Sequence, residues 1–142
     1  MSIKGFEGLQ AKASKANVAE ALVHSFMSKN PVSILTGTKI YVAIQTLATH
    51  KIGSAPVVNG QGQIVGVISE HDLLIQTATR DVLDSIEYVK DPITVTPDMA
   101  LKDLLILLYK KKIRRIPVVE KNRTIVGMVT RIDVLLKLIG KT

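Results

Sequence analysis

APVVNGQGQIVGVISEHDLL, residues 55–74, reads as strand, tight turn, strand, polar turn and helix. Pro56-Val57-Val58 is a short apolar run, stopped by the turn signal Asn59-Gly60-Gln61-Gly62. The β-branched run Ile64-Val65-Gly66-Val67-Ile68 is too short for a helix and apolar on both sides, which predicts a buried central strand. It leads into Ser69-Glu70-His71-Asp72, where a hydroxyl and a carboxylate stand three residues apart before Leu73-Leu74 begin a helix. Both polar groups sit where a strand end meets a helix N-terminus.

The pattern returns at residues 116–135, IPVVEKNRTIVGMVTRIDVL. Pro56/Pro117, Gly66/Gly127, Ser69/Thr130 and Asp72/Asp133 all stand at one offset of 61 residues. Working outward in the first copy, Val32-Ser33-Ile34 predicts a short strand and Thr38 the N-cap of a helix. Ile40, Ala43, Ile44 and Leu47 recur on one helical face, with Lys39, Gln45, Thr49 and Lys51 off it. A second helix is expected from about residue 71 to 79. In the second copy Ile93-Thr94-Val95 predicts a strand, and Thr96-Pro97-Asp98 a helix start with proline at the first helical position. Leu101, Leu104, Leu105 and Leu108 share a face, and a last helix over 132–139 is closed by Gly140 as C-cap.

Each copy is therefore β-α-β-β-α, and the fold class is mixed α/β. A small sheet with one apolar face exposed needs a cover, and its twin is the available one. That implies two repeats packed with pseudo-twofold symmetry and equivalent clefts on either side. The expected organisation is a loose N-terminal segment over 1–17, helical at most from Gln10, then a first repeat over 18–79 and a second over 80–142. Val18, Leu22, Val23 and Phe26 predict a helical lead-in that ends at Asn30-Pro31. Residues 80–89, RDVLDSIEYV, match that lead-in.

Composition excludes several functions. Aromatic residues are only 4% of the chain, so Ile, Leu and Val must build the core. With no cysteine there is no disulfide, thiolate metal site or cysteine nucleophile, which fits a cytoplasmic location. The start has no continuous apolar run of signal-peptide type. Residues 52–69 carry no charge, but Pro56 and Asn59-Gly60 break them into a hairpin rather than a membrane span. A formal net charge of +7 is accounted for by a solvated basic surface. Nucleic-acid binding is disfavoured because Tyr41, Tyr88 and Tyr109 do not group as a stacking platform. His24, His50 and His71 lack metal-ligand spacing. No nucleophile–base triad, P-loop or G-x-G-x-x-G is present, so no residue is assigned a catalytic role and the chain does not read as an enzyme.

The tandem spacing, the hydrophobic-Pro-Val-Val strand and the Gly-hydrophobic-hydrophobic-Ser/Thr-x-x-Asp exit together resemble a pair of CBS domains, the Bateman module, over about Val18 to Ile139. The resemblance implies a regulatory sensor that binds adenosine-containing ligands (AMP, ADP, ATP, S-adenosylmethionine, some cyclic dinucleotides) in the clefts between the repeats. It implies no required cofactor, no metal, no membrane and a separate effector protein. It also implies a homodimer, formed through the two helices of each copy. By resemblance Asp72 and Asp133 hold ribose, while Ser69 and Thr130 contact ribose or phosphate. One site would join Thr130 and Asp133 with Val32, Ile52, Gly53 and Ser54. The other would join Ser69 and Asp72 with Ile93, Ile113, Arg114 and Arg115.

Each assignment competes with a simpler one. A carboxylate at a helix start is stabilising by itself, by about 0.3–1 kcal/mol, so either aspartate can be a cap as well as a ligand. Arg114 and Arg115 stand where the first copy has Gly53 and Ser54. Lys110-Lys111-Lys112 suit a helix C-terminus. The two arginines lie beyond it, and guanidinium suits phosphate geometry, which favours AMP, ADP or ATP. The alternative is a dimeric interaction module with vestigial clefts that docks an effector protein.

Overall fold

The structure, a computed structural model, describes residues 18–141, so the expected loose start lies outside the described residues. Two 3-10 turns, Val18–Glu20 and Val23–Ser25, come first. Seven strands follow: β1 (Ser28–Lys29), β2 (Ile34–Leu35), β3 (Ser54–Val58), β4 (Ile64–Ser69), β5 (Val89–Lys90), β6 (Arg115–Val119) and β7 (Ile125–Thr130). The helices are α1 (Ile40–His50), α2 (Glu70–Thr79), α3 (Leu101–Lys111) and α4 (Arg131–Leu138).

These elements form two compact units. The first, residues 31–93 with 121–125, holds the sheet β2-β3-β4-β5, in which β2 runs parallel to β3 and the other pairs are antiparallel. Ile34, Ile40, Leu47, Val57, Ile68 and Leu73 form its core with α1 and α2. The second, residues 18–30, 94–120 and 126–141, holds the sheet β1-β7-β6 and the core of Val23, Leu101, Leu104, Ile116, Val129 and Val134. The expected repeat boundary and the packing boundary therefore differ: residues 18–30 open the first repeat in sequence but pack in the second unit. A single parallel bridge, Val95 to Val118, stands where the first unit has β2 beside β3.

The lead-ins depart from the helical expectation. Val23 N–H donates to Met99 O at 2.9 Å, and Leu101 N–H to Ala21 O at 2.8 Å. In the first unit Ile86 N–H donates to Thr38 O at 2.8 Å, and Ile40 N–H to Asp84 O at 2.9 Å. Each lead-in thus spends backbone groups on a neighbouring helix start, and the first closes only isolated turns, such as Met27 N–H on Val23 O at 2.9 Å, instead of a continuous helix. Leu22 stays exposed, while Val18, Val23 and Phe26 are buried. The lead-ins end as β1 on β7 and β5 on β4. Asn30 (φ 52°) and Asp91 (φ 53°) then turn the chain before Pro31 and Pro92. The residue before proline is driven from the right-handed helical region, and Asn and Asp tolerate the left-handed one best after glycine.

The same bonds correct two expected helix starts. Thr38 is not the N-cap: its hydroxyl donates back to Leu35 O at 2.6 Å, and Lys39 occupies the cap position without a side-chain bond. The first N–H groups of α1 are met instead by Asp84 O and Val82 O, which satisfies donors a helix start otherwise leaves unpaired. Thr96-Pro97-Asp98 likewise forms a turn, closed by Met99 N–H on Thr96 O, and α3 begins only at Leu101. The C-cap of α4 is Ile139, not Gly140 as expected; Gly140 (φ 76°) is the left-handed residue that follows it. β4 is central but its faces differ: Ile64, Gly66 and Ile68 are buried while Val65 and Val67 are half-buried.

Gly66 and Gly127 owe their identity to β5 and β1. A Cβ on Gly66 would lie 2.5 Å from Val89 O and collide with the Cδ2–Cε2 edge of the Tyr88 ring, and one on Gly127 would lie 2.5 Å from Met27 Sδ and 3.0 Å from Ser28 O. Gln76 is the buried polar side chain of the first unit. Its amide donates to Glu87 O (2.9 Å) and accepts from Glu87 N–H (2.8 Å), fastening the second lead-in to α2. Among the described residues no helix is long and apolar enough to cross a membrane.

Candidate functional site

Strand β4 ends at Ser69, whose extended backbone (φ −115°, ψ 163°) makes it the N-cap of α2. The Asp72 N–H donates to Ser69 Oγ at 3.1 Å, and the Ser69 N–H donates to Asp72 Oδ2 at 2.9 Å. Thr130 and Asp133 repeat this at the start of α4, at 3.3 and 2.8 Å. Each hydroxyl–carboxylate pair is thus a reciprocal capping box. One carboxylate oxygen is used in each, and Oδ1 of Asp72 and of Asp133 has no hydrogen-bond partner among the described residues. The cap and a ligand contact are compatible at the same side chain.

Around each box the hairpin fixes the neighbours. Ser54 stands opposite Ser69 across β3 and β4, and Glu70 N–H donates to Gly53 O at 2.9 Å. In the second unit Arg131 N–H donates to Arg114 O at 3.0 Å, and Arg131 Nε–H to Ile113 O at 3.0 Å. The pre-strand segment of each copy is therefore the immediate neighbour of its own hydroxyl–Asp turn. The resemblance had grouped Gly53 and Ser54 with Thr130 and Asp133, and Arg114 and Arg115 with Ser69 and Asp72. An antiparallel hairpin brings the start of its first strand beside the end of its second, and that pairing joins Gly53-Ser54 to Ser69 and Arg114 to the Thr130-Arg131 step.

The remaining residues are placed as follows. Val32 is half-buried just ahead of β2, Ile52 is half-buried at the end of α1, and Ile93 is exposed beyond β5. Ile113 is half-buried and Arg114 exposed. Arg115 opens β6 half-buried, and its Nε is buried with no hydrogen-bond partner. The bland reading of a solvated basic surface covers Arg114 but not that atom.

The CBS domain family model matches residues 23–76 and 81–140. The chain belongs to the CBS-domain family. It is 34% identical to protein MJ1225 of Methanocaldococcus jannaschii over 123 residues, covering 83% of this chain and 42% of that protein, so the chain spans less than half the length of that relative. The CBS domain pair of protein MJ0100, solved with 5′-methylthioadenosine and S-adenosyl-L-methionine, superposes with a TM-score of 0.73 at 30% identity, over 86% of this chain and 98% of that one. CBSX2 of Arabidopsis thaliana, solved with AMP, gives a TM-score of 0.71 at 26% identity, over 80% of this chain and 92% of that one.

In neither CBS copy does the hydroxyl–Asp pair line the groove that runs along that copy's two helices. A groove of about 530 Å³ runs along α1 and α2, lined by Ile44, Leu47, Leu73 and Leu74 with Lys51 and Glu70 at its rim. Its counterpart of about 380 Å³ along α3 and α4 is lined by Leu105, Leu108, Val134 and Leu135 with Lys112 and Arg131. The leucine stripe pointed to the apolar part of the second groove. Glu70, Arg131 and Gln76 were not singled out in the sequence; comparing the two copies position by position flags the first two.

Proposed function

We propose that this chain is a regulatory, non-catalytic sensor that binds an adenosine-containing ligand, with AMP, ADP or ATP preferred. The observation that carries this reading is Arg115 Nε, a buried donor without a partner beside a hydroxyl–Asp turn. Leaving such a donor unmet costs about 1–3 kcal/mol, and a phosphate oxygen is a fitting acceptor. The AMP complex of CBSX2 and the adenosyl complexes of the MJ0100 pair support the ligand class. In this reading Asp72 and Asp133 accept from ribose hydroxyls through Oδ1. Ser69 and Thr130 flank them, and Arg114 and Arg115 take phosphate. Val32, Ile52, Ile93 and Ile113 give apolar contacts to adenine, with Gly53 and Ser54 allowing close approach. The protein acts in the cytoplasm as a homodimer and passes its signal to a separate effector.

Thermal-shift measurement with AMP, ADP, ATP, S-adenosylmethionine and cyclic dinucleotides, repeated on Arg114→Ala and Arg115→Ala, tests this. Repulsion between unit charges ~4 Å apart is about 4 kcal/mol at intermediate dielectric, so a sulfonium near Arg115 is disfavoured. Stabilisation by S-adenosylmethionine alone, unchanged in both variants, overturns the phosphate assignment.

A second reading rests on the grooves along the helices. They are largely apolar, which suits an interaction module whose ligand residues serve only as caps. Absence of stabilisation by every ligand above favours it.

A further inference from the structure

Where α3 ends and α4 begins, the second unit carries Lys110, Lys111, Lys112 and Arg131. At the offset of 61 the first copy has Thr49, His50, Lys51 and Glu70, one cation and one anion. The four cations share one edge. Lys112 and Arg131 line the same depression, and the Arg131 Nε–H donates to Ile113 O at 3.0 Å, which fixes that side chain beside the end of the lysine run. Among the described residues none of the four makes an ion pair. The unit's own carboxylates are engaged or distant. Glu20 is paired with Lys102, Asp98 is held by the Thr96 hydroxyl, and Asp133 serves its capping box. Asp103 lies in the first turn of α3, and Glu120 follows the far end of β6.

Folding accounts for only part of this charge. Lys110 and Lys111 suit the last turn of α3, but Arg131 is the first residue of α4, where the positive end of the helix dipole disfavours a cation. Glu70 at the first position of α2 is favoured there. An apolar difference accompanies the charge. Ile132 is 57% and Ile139 65% exposed, two helical turns apart on one side of α4 and its cap, and neither lines the groove along α3 and α4. Their counterparts in the first copy are His71 and Ala78.

We infer that this edge docks an acidic segment of a separate protein, with carboxylates on Lys110, Lys111, Lys112 and Arg131 and apolar side chains on Ile132 and Ile139. This rests on the effector proposed above and names its chemistry. Arg114 and Arg115 remain for the ligand. Unpaired cations beside exposed isoleucines complement a chain that alternates carboxylates with apolar residues. Nucleic acid fits less well. Tyr109 is the one exposed aromatic among the unit's described residues, so no stacking platform flanks the cations, and a phosphate backbone makes no use of two isoleucines.

Fluorescence anisotropy with a short labelled peptide of Glu and Leu tests this, with a single-stranded oligonucleotide of equal charge as the competing probe. The peptide is expected to bind, and the triple variant Lys110→Glu, Lys111→Glu, Arg131→Glu to weaken it roughly tenfold or more. Ile132→Ser with Ile139→Ser is expected to weaken it roughly tenfold without altering charge. Reversal of three exposed lysines elsewhere, Lys29→Glu, Lys39→Glu and Lys90→Glu, changes net charge equally and should leave affinity within about threefold. An equal loss in that control overturns the surface, because overall charge then drives binding. Tighter binding of the oligonucleotide, lost on the first triple reversal, overturns the protein partner in favour of nucleic acid. An affinity indifferent to the isoleucine changes overturns the apolar half of the contact, and no peptide binding overturns the whole. The first triple variant keeps Arg114, Arg115 and Asp133, so its thermal shift with AMP tests the ligand reading separately. A missing AMP shift in the unsubstituted chain overturns that reading and leaves the docking result standing.

Discussion

Asp133→Asn separates the cap from the ligand contact. Asparagine keeps a carbonyl oxygen for the Thr130 N–H that Asp133 Oδ2 now accepts at 2.8 Å, so the capping geometry survives. What the helix loses is a negative charge in its first turn, about 0.3–1 kcal/mol. For a chain of this size that lowers Tm by roughly 1–4 °C. The ligand loses more, because the side chain now presents an N–H₂ group where ribose hydroxyls need an acceptor. Loss of a charge-assisted hydrogen bond is worth about 1.5–3 kcal/mol, or roughly 10–100-fold in Kd. AMP at about 100 times the wild-type Kd stabilises by about 2.7 kcal/mol, and a ~30-fold weaker site retains less than about 1 kcal/mol of that. Thermal unfolding with and without AMP, alongside titration calorimetry, reads both quantities. An AMP shift that Asp133→Asn leaves whole refutes the ribose role. Loss of several kcal/mol without ligand refutes the claim that the cap tolerates the substitution.

Gly66→Ala is expected to destabilise by about 2–3 kcal/mol in urea unfolding, since the new methyl meets the Val89 carbonyl and the Tyr88 ring. Gly127→Ala should cost less, about 1–2 kcal/mol, because the end of the Met27 side chain can yield; the reverse order contradicts this account. Lys102 Nζ lies 2.7 Å from Glu20 Oε1, and this hydrogen bond, helped by the carboxylate's charge, raises the lysine above its ordinary 10.5. A raised folded-state value means the pair's contribution is whole below pH 10.5 and is lost as pH rises through the folded value. Nitrogen-detected NMR titration should show Glu20→Gln returning Lys102 to the ordinary value, and an unchanged midpoint would count against the pair.

The hairpins, the four helices and the hydroxyl–Asp turns were legible because each is coded locally. Two residues of turn signal, a run of β-branched side chains and a serine or threonine three residues before aspartate suffice to write them. The lead-ins were not. Val18, Val23 and Phe26 carry helix-like spacing, yet the backbone beside them bonds to Met99 and Leu101, about eighty residues on, and no pattern within the segment encodes that. The starts of α1 and α3 failed for the same reason. A local cap was expected at Thr38 and at Pro97, and distant carbonyls supplied it instead. At the candidate site the residue types were readable, and the hairpin sets Ser54 beside Ser69 within one copy.

Positions at which the two copies agree are explained by folding. Pro56 and Pro117, Gly66 and Gly127, and the paired capping boxes each do the same structural work twice. Gly62 (φ 79°) and Arg123 (φ 73°) show how far that constraint reaches: the same left-handed turn is kept with an arginine, at a conformational cost glycine does not bear. The turns they belong to are held together by reciprocal bonds, Ile64 N–H on Arg123 O at 2.9 Å and Ile125 N–H on Gly62 O at 3.1 Å. Folding gives no reason for Gly53, Ser54 and Glu70 to become Arg114, Arg115 and Arg131. One of these arginines buries an unmet donor, one opposes its own helix dipole, and Arg131 is bonded to the Arg114 carbonyl. Three cations in one unit, one with an unmet buried donor and one at an unfavourable helix end, are what an anionic partner outside the unit would select.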